Sequence, residues 1–352
     1  MDQPIAINPT DVSRRGDLNV SQTPFGTVFS DHMLIARWRD GQWREVGIEP
    51  YGPIPMPPSI NGLQYGLCVF EGLKAFRTVA GSVALFRPRE NFLRLGRSCQ
   101  RLALPEVPEG LFFEGLKQLM ALDQAWVPSP DEGSLYIRPC VFATDENVRV
   151  KAASSALFVI FACPVGAYYA EPLSLLAETR YTRAFPGGTG DVKPGGNYAV
   201  SLLAEREAQE RGYHNVLWLD GREHRYVEEA GVMNIFFVID GIVVTPNLSG
   251  TILAGVTRDS VIALLADMDI PVEERPIAMD EIVAAYDHGA LRECFGTGTA
   301  ATVAPIGKIG YQTRELVLPP VADWKIGPAV LARITHLRTG RADDPRGWLV
   351  PV

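Results

Sequence analysis

The sequence predicts an α+β protein of two domains with mixed, mostly antiparallel sheets. Three observations predict this class. The chain has 352 residues, and domains run to about 100–200 residues each. Short runs rich in β-branched and aromatic residues alternate with stretches whose apolar residues recur at helical spacing. Two Asp-Gly pairs, Asp220-Gly221 and Asp240-Gly241, each lie between β-rich runs, a hairpin signal. Apolar residues make up 47% of the chain and charged residues 21%, which supplies a core and argues against wholesale disorder.

Residues 1–24 read as an arm on a first domain spanning 1–165. Within that domain Val83–Arg87 reads as a strand. Residues 89–104 and 111–126 read as helices, with Phe92, Leu93, Leu95 and Leu102 in the first and Leu116, Leu119, Met120 and Leu122 in the second. Residues 134–143 and 155–164 read as neighbouring strands. Residues 166–176 read as an interdomain loop, and 177–352 as the second, larger domain. A strand is expected over 174–185, followed by a glycine-rich loop. Asn197 is a suitable N-cap for a helix ending near Arg211, with Gly212 as its stop. Residues 215–219 and 222–229, then 233–239 and 242–246, flank the two Asp-Gly pairs. Val261, Leu264, Leu265 and Met268 mark a helix, which Thr257 can cap. Residues 293–306 read as strand, glycine turn, strand.

The balance of charge excludes some functions. Acidic residues outnumber basic ones, 41 to 33, for a net charge of -8, and no Lys/Arg block offers a nucleic-acid footprint. The five cysteines are widely spaced without a CxxC. HExxH is absent, and the five histidines are scattered and read as surface or cap residues. No metal is expected, and a reducing compartment is. The polar N-terminus has the character of neither a signal nor a transit peptide. The best apolar run, 156–170, is shorter than the roughly 20 residues a spanning helix needs and contains Pro164 and Gly166. No membrane association and a cytoplasmic location are expected. Asn19 and Asn247 head glycosylation sequons that carry no weight in that setting.

The chemistry centres on one amine. Lys193 stands among Gly187, Gly188, Gly190, Gly195 and Gly196, and Pro194 biases it toward extended backbone. A lysine so bared can reach a carbonyl and form a Schiff base once desolvation favours its neutral form; a solvated loop lysine fits the same pattern. Gly255-Val256-Thr257 ahead of Arg258 offers helix N-terminal amides and a hydroxyl to an anion, or merely a cap. Phe295–Ala301 is a second small-residue turn with Thr297 and Thr299, a loose GxGxxA whose following stretch reads as strand rather than the required helix. An aldehyde-phosphate cofactor, pyridoxal phosphate, needs such a lysine, such cradles, and a carboxylate at its ring nitrogen. Strand alternation sends Glu228 and Glu229 to opposite faces, so only one is expected to point inward. Glu229, beside the apolar run from Ala230, is the expected one, and Glu228 reads equally well as a solvated hairpin acid.

These segments, with Phe25–Met33, Tyr65–Arg77, "LFRPRENFLRL", "SLYIRP", "VGAYY", "EEAGVMNIFF" and the closing "GWLVPV", resemble the branched-chain amino acid aminotransferases, pyridoxal-phosphate enzymes of fold type IV. The likeness covers nearly the whole chain, with ten motifs in the family's order. It implies a barrel-containing two-domain α+β fold with the active site at the domain interface. It also implies ping-pong transamination of Leu, Ile or Val with 2-oxoglutarate. Lys193 would hold the cofactor and shuttle the proton, Tyr198 would bond the ring oxygen, and Glu229 would pair with the ring nitrogen. Arg87, Val256, Thr257 and Thr299 would bind phosphate. Arg138 and Tyr136, with the Thr299–Ala300 turn, would seat the substrate carboxylate. Phe70 and Tyr168 would line the side-chain pocket near Val232, and Arg183 matches an arginine close to the cofactor. Tyr65 would reach in from a partner subunit, which implies a homodimer.

The sequence departs from the family's pattern at several positions. Val232 stands where relatives commonly carry Thr or Gly, and Ala254 replaces a proline. Ala301 and Ala304 replace the thiol pair of mammalian relatives, and Leu67 and Cys68 also vary. The departure at Val232 leaves open a second reading, a transaminase of the same scaffold for a non-standard amino acid or amine in secondary metabolism. A third, a non-catalytic binder, conflicts with the intact Lys193, Glu229, Arg87 and Tyr198.

Overall fold

The computed structural model describes residues 4–166 and 171–352. In chain order the strands and helices are β1 (Ala6–Ile7), β2 (His32–Arg39), β3 (Gln42–Pro50), α1 (Asn61–Gln64), β4 (Cys68–Phe70), β5 (Leu73–Arg77), β6 (Val83–Phe86), α2 (Pro88–Arg101), α3 (Glu109–Leu122), β7 (Ser134–Ala143) and β8 (Ala156–Val165). There follow β9 (Leu173–Ala177), α4 (Gly196–Ala199), α5 (Leu202–Glu210), β10 (Asn215–Leu219), β11 (Val227–Ala230), β12 (Asn234–Ile239), β13 (Ile242–Thr245) and α6 (Val256–Asp267). The chain ends with β14 (Val272–Glu274), α7 (Met279–Asp287), β15 (Leu291–Gly298), β16 (Thr302–Tyr311), β17 (Arg314–Val317), α8 (Ile326–Arg338) and β18 (Leu349–Pro351). No helix among the described residues is long and apolar enough to cross a membrane.

Two compact units result. The first comprises Met1–Tyr168, Val192–Gly196 and Leu337–Val352, the second Tyr169–Asp191 and Asn197–His336. The main division falls within the expected 166–176, but residues 192–196 and 337–352 go with the first unit. The C-terminal residues join the first unit because β18 pairs antiparallel with β6. The lysine segment joins it because Pro194 bridges to Val69. Of the expected linker, residues 167–170 lie outside the described residues, and Leu173–Ala177 is a buried strand.

The first unit's sheet runs β1-β3-β2-β8-β7-β5-β6-β18, with β4 also on β7. All its pairs are antiparallel except β1 with β3. Strand β7 is the spine, and its far edge is shared by two partners, β5 on Leu135–Ile137 and β4 on Cys140–Phe142. Pro139 sits at the gap between them. A proline lacks the N–H that a ladder needs, but the interruption needs none there, and the Pro139 carbonyl accepts the Glu71 N–H at 2.7 Å. Helices α2 and α3 bury Leu95, Cys99, Leu111, Phe112 and Leu116 in one core with Leu34, Val69, Val141 and Phe158. Leu93 faces outward at 40% exposure. The N-terminal arm is pinned by side chains. The Thr10 N–H donates to His32 Nε2, and Ser13 Oγ and the Arg14 N–H donate to Asp31. His32 is therefore no surface residue; it is buried, with Nδ1 2.6 Å from Asp123 Oδ1.

The second unit's sheet runs β11-β10-β9-β16-β15-β12-β13-β14, with β17 on β16. The pairs β9–β10, β9–β16 and β13–β14 are parallel and the rest antiparallel, the mixed pattern expected. An Ala230–Met233 bridge joins β11 to β12, so the six strands from β11 round to β12 close into a barrel-like circuit. The hairpin at that closure has two turn residues, Gly231 and Val232. Gly231 has φ +57°, the requirement of the first position of a type II′ turn. Asp240-Gly241 is a two-residue turn as expected, both residues at positive φ.

Three expectations fail for identifiable reasons. The strand expected over 174–185 stops at Ala177 because Glu178 Oε1 accepts the N–H groups of Arg180 and Tyr181 and folds the chain into a turn. Asp220-Gly221 is not a tight hairpin. The Asp220 carboxylate instead gathers the N–H groups of Arg222, Glu223, Arg225 and Tyr226 into a longer loop. The helix after the lysine loop is two pieces, broken where Ser201 Oγ donates to the Tyr198 carbonyl. Asn197 lies inside the first piece, where it does not cap; its amide donates to the Thr189 carbonyl and its oxygen accepts from Thr189 Oγ1.

Candidate active site

In the first unit the lysine loop lies along β4. The Phe70 N–H donates to the Lys193 carbonyl at 3.1 Å, and the Gly195 N–H to the Cys68 carbonyl at 3.0 Å. The Lys193 N–H donates to Ser98 Oγ at 3.0 Å. This is the extended backbone that Pro194 demands. Both main-chain groups of the lysine are thus held, and its Nζ stands 4.9 Å from the centre of the Phe70 ring. The Arg138 guanidinium lies against the same ring at 4.4 Å and donates to Tyr136 Oη at 3.1 Å. Arg138 Nε is buried and has no hydrogen-bond partner among the described residues. Lys193, Phe70, Arg138 and Tyr136 therefore form one cluster, an amine and a guanidinium on an aromatic wall.

Gly72 makes that cluster possible. A Cβ there would lie 2.1 Å from Tyr136 Oη, so only glycine admits the ring. Phe25 packs edge-on against Tyr136, ring centres 5.0 Å apart. The preceding Glu71 is fully buried. A lone buried carboxylate costs several kcal/mol, and here it is compensated. Arg94 donates to Glu71 through Nε at 2.6 Å and Nη2 at 2.8 Å, Asn91 at 2.8 Å, and the Gly72 N–H at 3.1 Å. Burial pushes the carboxyl up, but the charge and hydrogen bonds of Arg94, with Lys193 and Asn91, outweigh it and hold Glu71 below the usual carboxylate range.

The other first-unit candidates are Arg87 and Tyr65. Arg87 is the N-cap of α2, in left-handed backbone at φ 49°. Its N–H donates to the Trp348 carbonyl and its guanidinium stacks 4.8 Å from the Trp348 ring. Tyr65 is 46% exposed, and its hydroxyl donates to the Val148 carbonyl at 2.6 Å. Tyr168 lies outside the described residues.

The second unit assembles the remaining groups around Asn234. Glu229 is buried. Its Oε1 accepts the Leu253 N–H at 2.8 Å, and its Oε2 stands 3.4 Å from Arg183 Nε. Arg183 also donates to the carbonyls of Gly190 and Thr251. Asn234 pairs with Thr297 in the β12–β15 register and donates to the Leu253 carbonyl at 2.9 Å. The acidic strand, the loop before α6 and the β15–β16 turn, with its Thr299 and Ala300, are thereby tied together. Helix α6 begins at Val256 with Gly255 as N-cap. Thr257 is therefore a buried first-turn residue and caps nothing. Thr297 Oγ1 is buried without a partner among the described residues. Tyr198 is half-buried on α4. Val232, at the hairpin tip, is 54% exposed.

Glu228 is not solvated. It points to the face opposite Glu229, yet both are buried. Thr251 Oγ1 donates to Glu228. Burial, ahead of the opposing Thr251 hydrogen bond and the Arg183 charge, raises its carboxyl. Single-sided strand logic missed this because the sheet here is covered on both faces.

The comparisons with known proteins fit these groups. The pattern of the family "Amino-transferase class IV" matches residues 68–309. The chain belongs to the class IV aminotransferases. Its relatives within that family include a probable branched-chain-amino-acid aminotransferase of Staphylococcus aureus, 46% identical over 95% of this chain and 94% of that protein. A branched-chain-amino-acid aminotransferase of Mycobacterium tuberculosis is 42% identical over 98% and 96%. Among solved structures, the branched-chain aminotransferase of Thermoproteus uzoniensis with norvaline superposes with a TM-score of 0.73 at 27% identity, covering 90% of this chain and 99% of that one. The branched-chain amino acid aminotransferase of Escherichia coli gives 0.71 at 27%, covering 90% and 98%. This class IV aminotransferase thus has the two-sheet α+β architecture of fold type IV.

Proposed function

We propose that the protein transaminates branched-chain L-amino acids with 2-oxoglutarate, using pyridoxal 5'-phosphate carried on Lys193, as a cytoplasmic homodimer. The observation that carries this reading is the Lys193 amine and the Arg138 guanidinium against one aromatic ring, a carbonyl-reactive nitrogen beside a half-buried cation whose buried Nε is an unused donor. The orphan Thr297 hydroxyl, the α6 start and the Arg183-backed Glu229 suit a phosphate and a pyridine nitrogen.

When bound, the cofactor supplies an electron sink that acidifies the substrate α-C–H. Lys193 binds it and carries the proton to and from the α-carbon as the nearest base. Glu229, its charge fixed by Arg183 and the Leu253 N–H, holds a proton on the ring nitrogen. The amides of Val256 and Thr257, with Thr299 and Arg87, take the phosphate, and Tyr198 donates to the ring oxygen. Arg138, oriented by Tyr136, and the turn at Ala300 bind the substrate carboxylate. Phe70 forms an apolar wall for Leu, Ile or Val side chains, with Tyr168 and Val232 assigned to the same pocket.

Dimerisation is supported by apolar residues exposed together on the first unit, Leu63, Tyr65, Val148 and Val150, in two segments joined by the Tyr65–Val148 hydrogen bond. The partner's site then receives Tyr65. Five free cysteines agree with a reducing compartment. A panel of 2-oxo acids assayed with glutamate as donor tests the substrate. 4-Methyl-2-oxopentanoate and its branched analogues should lead the panel, and their ranking among the poorest acceptors refutes the branched-chain assignment.

A further inference from the structure

Helix α2 carries an unusual stripe. Asn91, Arg94 and Ser98 are spaced three and four residues apart, so they share one face, and all three are buried. A buried helix face is ordinarily apolar. Two of these residues hold the Glu71 carboxylate, and the third holds the Lys193 N–H. Glu71 in turn fixes the β4–β5 turn through the Gly72 N–H and the Pro139 carbonyl, and the residue before it, Phe70, donates to the Lys193 carbonyl. The two main-chain groups of the lysine are therefore held by two elements that the Glu71–Arg94 pair ties to each other.

We infer that Glu71 is a positioning residue for Lys193. With Arg94, Asn91 and Ser98 it forms a buried polar brace that fixes the lysine backbone and sets a permanent negative charge within reach of its amine. This rests on the reading of Lys193 as the cofactor-binding lysine. A purely structural tie at this point needs no charge, whereas a fully buried carboxylate brought near an amine that must gain and release a proton has electrostatic consequences. The Glu71 carboxylate from the β4–β5 turn acts electrostatically on that amine; Arg94 from α2 is bound to Glu71, and Arg138 from β7, bound to Tyr136, shares the Phe70 ring with the amine. A nearby negative charge favours a protonated nitrogen, so its loss must lower the pH at which the lysine-bound cofactor loses its proton.

The test uses cofactor-loaded protein, with the pH midpoint of the visible absorbance and kcat as readouts. Glu71→Gln should lower the midpoint by about one unit or more and kcat by about 10–100-fold, as for other residues that orient a reacting group. Ser98→Ala leaves the charges in place and removes the backbone acceptor. It should leave the midpoint unmoved and lower kcat by roughly tenfold. A Glu71→Gln protein with a reduced Tm but an unmoved midpoint would make Glu71 structural only and overturn the inference. If that variant does not fold, Ser98→Ala decides alone, and a wild-type kcat overturns it. A wild-type protein without a Lys193-dependent visible band overturns the underlying reading and this inference together; a normal band with both variants at wild-type values overturns the brace alone.

Discussion

Gly72→Ala is the smallest change that should damage the site without replacing a polar side chain. The new methyl would stand 2.1 Å from Tyr136 Oη, 2.7 Å from Cζ and 3.1 Å from Cε2. The ring has no room to retreat. Phe25 packs against it, and its backbone is paired to Cys163 on β8 and Lys74 on β5. Overpacking of this kind costs about 1–3 kcal/mol. Displacing the Tyr136 hydroxyl also removes the hydrogen bond from Arg138, and bonds to charged groups contribute about 1.5–3 kcal/mol. At about 2.1 cal/mol/K per residue, 1 kcal/mol shifts the Tm of a 352-residue chain by about 1.4 °C, so the Tm should fall by roughly 3–8 °C. Because Arg138 loses its orienting partner, KM for the amino acid should rise about tenfold, the equivalent of 1.4 kcal/mol, while kcat changes less. Calorimetry and initial-rate kinetics on the purified variant measure both. A Gly72→Ala protein with wild-type Tm and KM refutes the steric account of this glycine.

Glu229→Gln removes the charge that Arg183 and the Leu253 N–H hold in place, and the half-reaction with leucine should slow by about 10²–10⁴, measured by single-turnover absorbance. The buried Lys74 amine is pushed down to about 7, by desolvation first and the Arg338 charge second. The unfolded chain keeps that proton up to about pH 10.4. Between pH 7 and 10 it therefore binds more protons than the folded state, so stability should climb with pH there, and Lys74→Met should flatten the rise in a Tm series. Burial raises the thiol of Cys99 and of Cys140 to about 12 and of Cys163 to about 11, with Cys68 and Cys294 raised too. Iodoacetamide at pH 7.5 should accordingly leave activity intact over hours.

The parts of the fold set by local chemistry were legible in the sequence. Asp240-Gly241 makes the hairpin its dihedrals allow, and the alternating and continuous apolar runs of β7, β8 and β12 lie where their pattern puts them. Glycines and Pro194 mark Lys193 in the sequence, and its backbone is held between β4 and α2. What failed depends on side chains finding distant partners. Glu178 and Asp220 look like ordinary polar residues, yet each collects backbone N–H groups and bends the chain. Of the apolar positions read in α2, Leu95 is buried and Phe92 packs on the core, but Leu93 is exposed, and the buried side also carries Asn91, Arg94 and Ser98. Nothing local announces a polar stripe as buried until Glu71 and the lysine backbone meet it. The joining of residues 192–196 and 337–352 to the first unit is likewise a matter of strand pairing across the chain, invisible to periodicity.

The central claim is that one amine carries the reaction. Borohydride reduction of the cofactor-loaded protein, followed by proteolysis and peptide mass spectrometry, tests it most directly. The pyridoxyl phosphate adduct should sit on Lys193 alone, and Lys193→Met should be unlabelled and transaminate leucine at least about 10³-fold more slowly. An adduct on any other lysine, or a Lys193→Met protein working at the wild-type rate, would contradict it.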